Sequence, residues 1–348
     1  MGPSRSTGVD YAPHRRSRSG RLGRAVRRSR ERAAVLGYRV AQGALGVIPT
    51  AISMPVASGV FRTAYYAWPA KRHIILDNAS HVLRKPTTDP DVRRLARRMY
   101  SSYARFVVEL MRLPSRPADE PNRLMVSEGE GAGGSFRALW EALRDEGRGM
   151  LGVSAHIGSI DILAGAFAAR GLPIYGVADD SAYPELFELL NESRRRWGVA
   201  VIPWRNLREI YRALRGSGIV GLIIDWGYRA EDVPVRLFGA WTTLPAGPAV
   251  IAARTRAALV PVICRRRDDG RFEARHFDPI EVTGDSQREI ALATQACANA
   301  IESMIAAAPE QWYSFKPIWP RTETEARRLE ERHAAMLLDG VAGRAPRR

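Results

Sequence analysis

Between residues 149 and 280 the apolar positions of the chain switch repeatedly between two patterns. Short continuous runs, of the kind that form strands buried on both faces of a parallel sheet, occupy residues 150–154, 173–178, 199–203, 219–225 and 259–265. Between them lie stretches with apolar residues three and four apart: 160–169, ended by Gly171; 184–197, ended by Gly198; 206–215; and 247–256. A further strand is expected at 272–277 and a long helix at 288–307. Strand and helix in alternation mean βαβ units, so the expected fold class is α/β, with a mixed, largely parallel sheet flanked by helices.

Upstream the pattern is helical. Residues 33–68 are apolar on the whole but broken by Pro49, Pro55, Arg39 and Gln42. A membrane-spanning helix wants roughly 20 uninterrupted apolar residues. Two short helices therefore fit better, either lying in a membrane interface with Tyr65, Tyr66 and Trp68 as anchors or packed as a hairpin on the protein's own core. Residues 71–113 continue helical, and their second half sets an apolar stripe of Leu95, Met99, Tyr103, Phe106 and Leu110 against Arg93, Arg94, Arg97, Arg98 and Arg105. After a proline-bounded linker at 114–121, a short strand is expected at 123–127 and a helix from about Ser135. These shifts divide the chain into a disordered basic tail (1–32), a helical membrane-associating region (33–116), an α/β core (117–320) and a C-terminal helix with a basic tail (321–348).

Charge adds a partner class. The formal net charge is +16, and residues 1–32 hold ten arginines against Asp10 and Glu31, a net of +8 in the tail. Such an excess draws the chain to an anionic membrane surface or to nucleic acid. No nucleic-acid recognition motif accompanies it, so the membrane is the expected partner. Two cysteines, Cys264 and Cys297, without ligand spacing support neither a disulfide framework nor a metal site, and no secretory signal pattern is seen. The expected location is the cytoplasmic face of the cell membrane, in a peripheral or monotopic arrangement.

Candidate chemistry centres on residues 149–171, where His156 and Asp161 stand five apart between an apolar strand and a helix. With Ser159 as N-cap, Asp161 falls in the first helical turn and can reach back toward the ring. A carboxylate bonded to one imidazole nitrogen fixes the tautomer and leaves the other as a general base for a hydroxyl. The plainer alternative is a histidine satisfied in a turn, with Asp161 complementing the helix dipole. Two nearby patterns carry less. GEGAGG at 129–134 matches a dinucleotide fingerprint but has Glu128 before it and Glu130 within it, which would repel a pyrophosphate. The Gly152, Ser154, His156 series lacks the second glycine of a hydrolase elbow.

In five ordered blocks the chain resembles the bacterial acyltransferases of lipid A and phosphatidylinositol mannoside synthesis. These are AHIGSID for a His-x4-Asp/Glu motif, NESRRRWG, LRGSGIVGLIID, VRLFGAWTTLPAGPAVIAARTRAALVPV, and PEQWYSFKPIWP, all between residues 155 and 320, and the resemblance as a whole covers about residues 33–320. The resemblance implies transfer of a fatty acyl group from acyl-CoA or an acyl carrier protein to a hydroxyl of a glycolipid, with no cofactor beyond that co-substrate and no metal. It implies His156 as general base, Asp161 as its orienting partner, Arg194 as an anchor for an anionic group, and Asp225 lining the same site. Arg236 is a candidate for a second anionic contact, and the backbone N–H groups of Gly158 and Ser159 are candidate oxyanion donors. Where the lipid A enzymes read His-Phe-Gly-Asn-Trp-Glu and Asp-Gln-Asp, this chain reads HIGSID and Asp225, Trp226, Gly227, which leaves the acceptor open. A lysophospholipid acyltransferase is the neighbouring reading, although its usual serine stands two after the histidine and Ser159 stands three after.

Overall fold

A computed structural model describes residues 21–339 apart from 128, 130, 132–133 and 180–183. Four helices come first: α1 (Arg21–Val47), α2 (Thr50–Ala67), α3 (Pro69–Leu83) and α4 (Pro90–Arg112). Helix α1 covers residues 21–32 of the stretch expected as a disordered tail, as suits a run rich in arginine, a good helix former. Residues 1–20 and 340–348 of the two expected tails lie outside the described residues. Pro49 separates α1 from α2, while Pro55 is accommodated inside α2. In α4, Leu95 and Met99 are buried and Arg93, Arg94, Arg97, Arg98 and Arg105 are exposed, as the stripe predicts.

Residues 120–124 form a short helix, α5 (Glu120–Leu124), where a strand is expected; Pro121 in its first turn favours the helix, and only Met125 makes an isolated bridge, to Phe272. Helix α6 (Phe136–Asp145) follows, capped by Ser135. The core then alternates as β1 (Met150–Ser154), α7 (Ile160–Ala169), β2 (Ile174–Ala178), α8 (Pro184–Arg196), β3 (Ala200–Pro203), α9 (Leu207–Arg215) and β4 (Ile219–Ile223). A hairpin comes next, β5 (Val233–Leu237) and β6 (Ala240–Leu244). Its two-residue turn, Phe238 at φ 52° and Gly239 at φ 81°, has both residues at positive φ. The chain closes with α10 (Gly247–Thr255), β7 (Ala258–Arg266), β8 (Phe272–His276), α11 (Gln287–Ala307) and α12 (Glu323–Leu338).

The main sheet has the order β3-β2-β4-β1-β7-β8, parallel throughout except for the last strand. Strand β1 is central and buried along its whole length, which explains its unbroken apolar run. Its alternate side chains enter opposite layers. Leu151 and Val153 join a core built with α3, α4, α9, α10, α11 and the hairpin, whereas Met150 joins one built with α6 and α7. Helix α11 is long and apolar enough to cross a bilayer, but more than half of it is buried, as a core helix.

One register decides where the chemistry sits. Ser154 of β1 pairs with Ile223 of β4. Each chain then runs two residues further, so His156 and Asp225 leave the same carboxyl edge of neighbouring parallel strands. Ligands of open α/β sheets bind along that edge.

Candidate active site

His156 lies two residues beyond β1, its side chain 43% exposed. Its Nδ1 stands 2.7 Å from Asp225 Oδ1, and its own backbone N–H donates to the same oxygen at 3.0 Å. The other carboxylate oxygen accepts from Trp312 Nε1 at 2.9 Å. Three N–H donors thus compensate the burial of Asp225, which is only 3% exposed and would otherwise be costly to desolvate. Because a carboxylate only accepts, Nδ1 carries the proton and Nε2 keeps its lone pair. Desolvation of the ring disfavours the imidazolium, but the charge of Asp225 and its hydrogen bond outweigh that effect. Despite a small opposing push from Lys316, the His156 pKa lies above the ordinary 6.5.

The expected contact from Asp161 to the ring is replaced by another. Asp161, buried in the first turn of α7, accepts from Arg194 Nε of α8 at 2.7 Å. Arg194 also reaches Asn191 at 3.5 Å. The reason is the turn itself: Gly158 at φ 61° and Ser159 in extended conformation redirect the chain, so that Asp161 faces α8. Tyr38 of α1 shares this knot. Burial, helped by Asp161 and opposed by Arg194, pushes its hydroxyl up to about 12. Arg194 is thus already paired with a carboxylate, and Asp161 raises its already high pKa.

Two more expectations are corrected. The N–H groups of Gly158 and Ser159 are already spent, donating to Gln311 O at 3.1 Å and Cys264 O at 3.3 Å. The backbone of β7 presses so close that a Cβ on Gly158 would stand 1.6 Å from Cys264 O. Neither amide is free for an oxyanion. Ser159 is at the N-cap position but makes no side-chain capping bond. Arg236, the exposed residue of the otherwise buried β5, pairs with Glu330 of α12 at 3.3 Å and lies over Trp241, with none of its contacts among the residues around His156. Asp225, expected only to line the site, is at its centre.

The residues that hold the turn lie in the block PEQWYSFKPIWP, whose sequence alone does not show what they do. Tyr313 N–H donates to His156 O at 2.7 Å, and Ile157 bridges Trp312, so residues 311–313 clamp residues 156–158 as a short antiparallel pair. Gln311 is fixed in turn, its amide bonding the Arg266 backbone N–H and carbonyl at 2.7 Å each. Arg266 forms a bidentate pair with Glu109 of α4. The readable signal was Trp312 itself: a fully buried indole needs an acceptor for its N–H. Ser154, beneath the site, has a buried hydroxyl with no hydrogen-bond partner, His156 included. Among the described residues no group of three or more His, Cys, Asp or Glu is placed to hold a metal ion.

The arrangement can therefore take a proton at Nε2 from a hydroxyl presented at the carboxyl edge of the sheet and hold the resulting imidazolium against Asp225. Comparison with known proteins places the chain among acyltransferases. The family described as bacterial lipid A biosynthesis acyltransferase matches residues 27–321. A phosphatidylinositol mannoside acyltransferase of Mycolicibacterium smegmatis is 30% identical over 84% of this chain and 93% of its own length. The enzymes of that name from two strains of Mycobacterium tuberculosis are 28% identical over 66% of this chain and 72% of theirs.

Proposed function

Because the chain belongs to the bacterial lipid A biosynthesis acyltransferase family and is an acyltransferase, we propose that it transfers a fatty acyl group from acyl-CoA or acyl carrier protein to a glycolipid hydroxyl. The names of its relatives favour a phosphatidylinositol mannoside as the acceptor. The observation that carries the mechanism is the 2.7 Å bond between His156 Nδ1 and Asp225. Nε2 of His156 takes the proton of the acceptor hydroxyl as the oxygen attacks the thioester carbonyl. The tetrahedral intermediate collapses with cleavage of the carbon–sulfur bond, and the imidazolium returns its proton to the departing thiolate. Asp225 keeps Nδ1 protonated and stabilises the imidazolium. Asp161 and Arg194 hold the helices that wall the site, as positioning residues.

The test of the acceptor is purified protein with radiolabelled palmitoyl-CoA, or the corresponding acyl carrier protein, and a phosphatidylinositol mannoside fraction. The expected product is one additional ester-linked acyl chain by mass spectrometry. A product only with lysophospholipid would move the assignment to the glycerolipid reading.

Membrane association belongs to the same proposal. Helices α1 and α2, with Trp68 just after them, leave Leu36, Val40, Val47, Ile52, Val56, Val60, Tyr66 and Trp68 exposed, apolar area of the kind that seeks a partner surface. Exposed arginines of α4 pack nearby, and each basic residue near an anionic leaflet is worth about 1 kcal/mol. The chain is expected to bind phosphatidylglycerol vesicles in a salt-sensitive manner and duplex DNA weakly. Quantitative recovery in the soluble fraction of cells at low salt would overturn this part of the proposal.

A further inference from the structure

Two cations expected to hold an anionic group are already neutralised, Arg194 by Asp161 and Arg236 by Glu330. Three further cations form no such ion pair, Lys316 beside His156 and Arg229 and Lys71 near Lys316, although Asp232 lies in the field of Arg229. Residues 226–229 leave the end of β4 and run against residues 316–318. Tyr228 N–H donates to Pro317 O at 2.8 Å, and a Cβ on Gly227, at φ 99°, would lie 3.1 Å from Lys316 Cβ. Arg229 is pinned next, its N–H donating to Thr243 Oγ1 at 3.1 Å and its carbonyl accepting from that hydroxyl at 2.8 Å.

Lys316 Nζ stands 4.8 Å from the centre of the Trp226 ring, and Trp226 meets the His156 imidazole edge to face with centroids 6.1 Å apart. The indole face favours a cation there. From α3, Lys71 reaches the Phe315 carbonyl at 3.0 Å. Three segments thus bring Lys71, Arg229 and Lys316 together, and none of the three forms an ion pair among the described residues. Burial, Arg229 and Lys71 all push the Lys316 ammonium below its ordinary pKa, against a pull from Asp225 and Asp179. Like charges held by backbone contacts gain an attractive partner when an anion enters, and guanidinium and ammonium together suit phosphate oxygens.

The geometry points to Lys316 and Arg229 as a clamp for a substrate phosphate, seated beside His156 with Lys71 in support. This rests on the acyl-transfer reading. Phosphate is carried both by the phosphopantetheine of a thioester donor and by the phosphodiester of a phosphoinositide acceptor, and the clamp would fix either one relative to Nε2.

The experiment is equilibrium binding of coenzyme A, and of phosphatidylinositol vesicles, to the full chain and to Lys316→Met, Arg229→Met and Lys316→Arg. Losing a charge-assisted bond is expected to weaken one of the two ligands roughly 10- to 100-fold, with Lys316→Arg retaining most of the affinity. Loss toward coenzyme A places the donor phosphate in the clamp; loss toward phosphatidylinositol, relative to phosphatidylglycerol vesicles of the same charge, places the acceptor phosphate there. Affinities for both ligands within about twofold of wild type in folded variants would overturn the clamp. So would an equal loss toward both kinds of vesicle, with coenzyme A unaffected, which is general surface attraction. Binding requires no turnover, so failure of the clamp is read separately from failure of the acyl-transfer reading.

Discussion

Replacing His156 with alanine is expected to lower acyl transfer roughly 10²–10⁴-fold, the size of general-base assistance, while leaving the fold and vesicle binding intact. The ring is partly exposed and its hydrogen bond is to Asp225. After truncation Asp225 still accepts from the residue-156 N–H and from Trp312, so no buried carboxylate is stranded. The wild-type rate should fall with acidification through a midpoint above 6.5, because Asp225 raises the pKa against the cost of desolvation and only the neutral ring can accept the proton. Stability runs the other way. A folded-state pKa above the unfolded value means that the contribution of His156 to stability is fully present below about 6.5 and is lost as pH rises through the higher folded value. Initial rates and urea midpoints across the same pH series would check both. A purified, folded His156→Ala enzyme that transfers at the wild-type rate would sink the mechanism.

How much of this was legible in the sequence depended on whether the cause was local. The strand at 150–154 and the helix at 160–169 follow from apolar spacing alone, and the fold class follows from their repetition. His156 was legible as a polar residue at the end of a buried run. Its partner was not, because Asp225 arrives by a register, Ser154 against Ile223, between strands 69 residues apart in the chain. Asp161, five residues away, offered a local carboxylate, yet the left-handed Gly158 turns it toward Arg194. The helix start also offered Gly158 and Ser159 as donors, since the first amides of a helix lack intrahelical acceptors. Carbonyls from residues 311 and 264 fill that lack here, and no local pattern announces their approach. The hairpin at 233–244 is illegible for a similar reason: its strands pack on α11 and α12 outside the main sheet, and a proline stands in the first of them.

The second large effect is expected at Asp225, and it separates the two carboxylates. Asparagine at 225 has two orientations. With its oxygen toward His156, the amide nitrogen opposes Trp312 Nε1–H, donor against donor; with its oxygen toward Trp312, it offers N–H groups to Nδ1 and draws the ring into the tautomer that carries the proton on Nε2, removing the base. Either way the imidazolium loses its counter-charge, and Asp225→Asn should cost activity on the scale of His156→Ala, about 10²–10⁴-fold. Because the two act as one unit, the double variant should be little worse than either single one. A buried unsatisfied donor should also cost about 1–3 kcal/mol of stability. Asp161→Asn, by contrast, loosens the pair with Arg194 that ties α7 to α8, lowering the denaturation midpoint, but it should leave the pH midpoint of activity in place because Asp161 does not bond the ring. Should Asp161→Asn move that midpoint downward while Asp225→Asn leaves it unchanged, the carboxylate that serves His156 is the one nearer in sequence, and the pairing described here is not the one used in turnover.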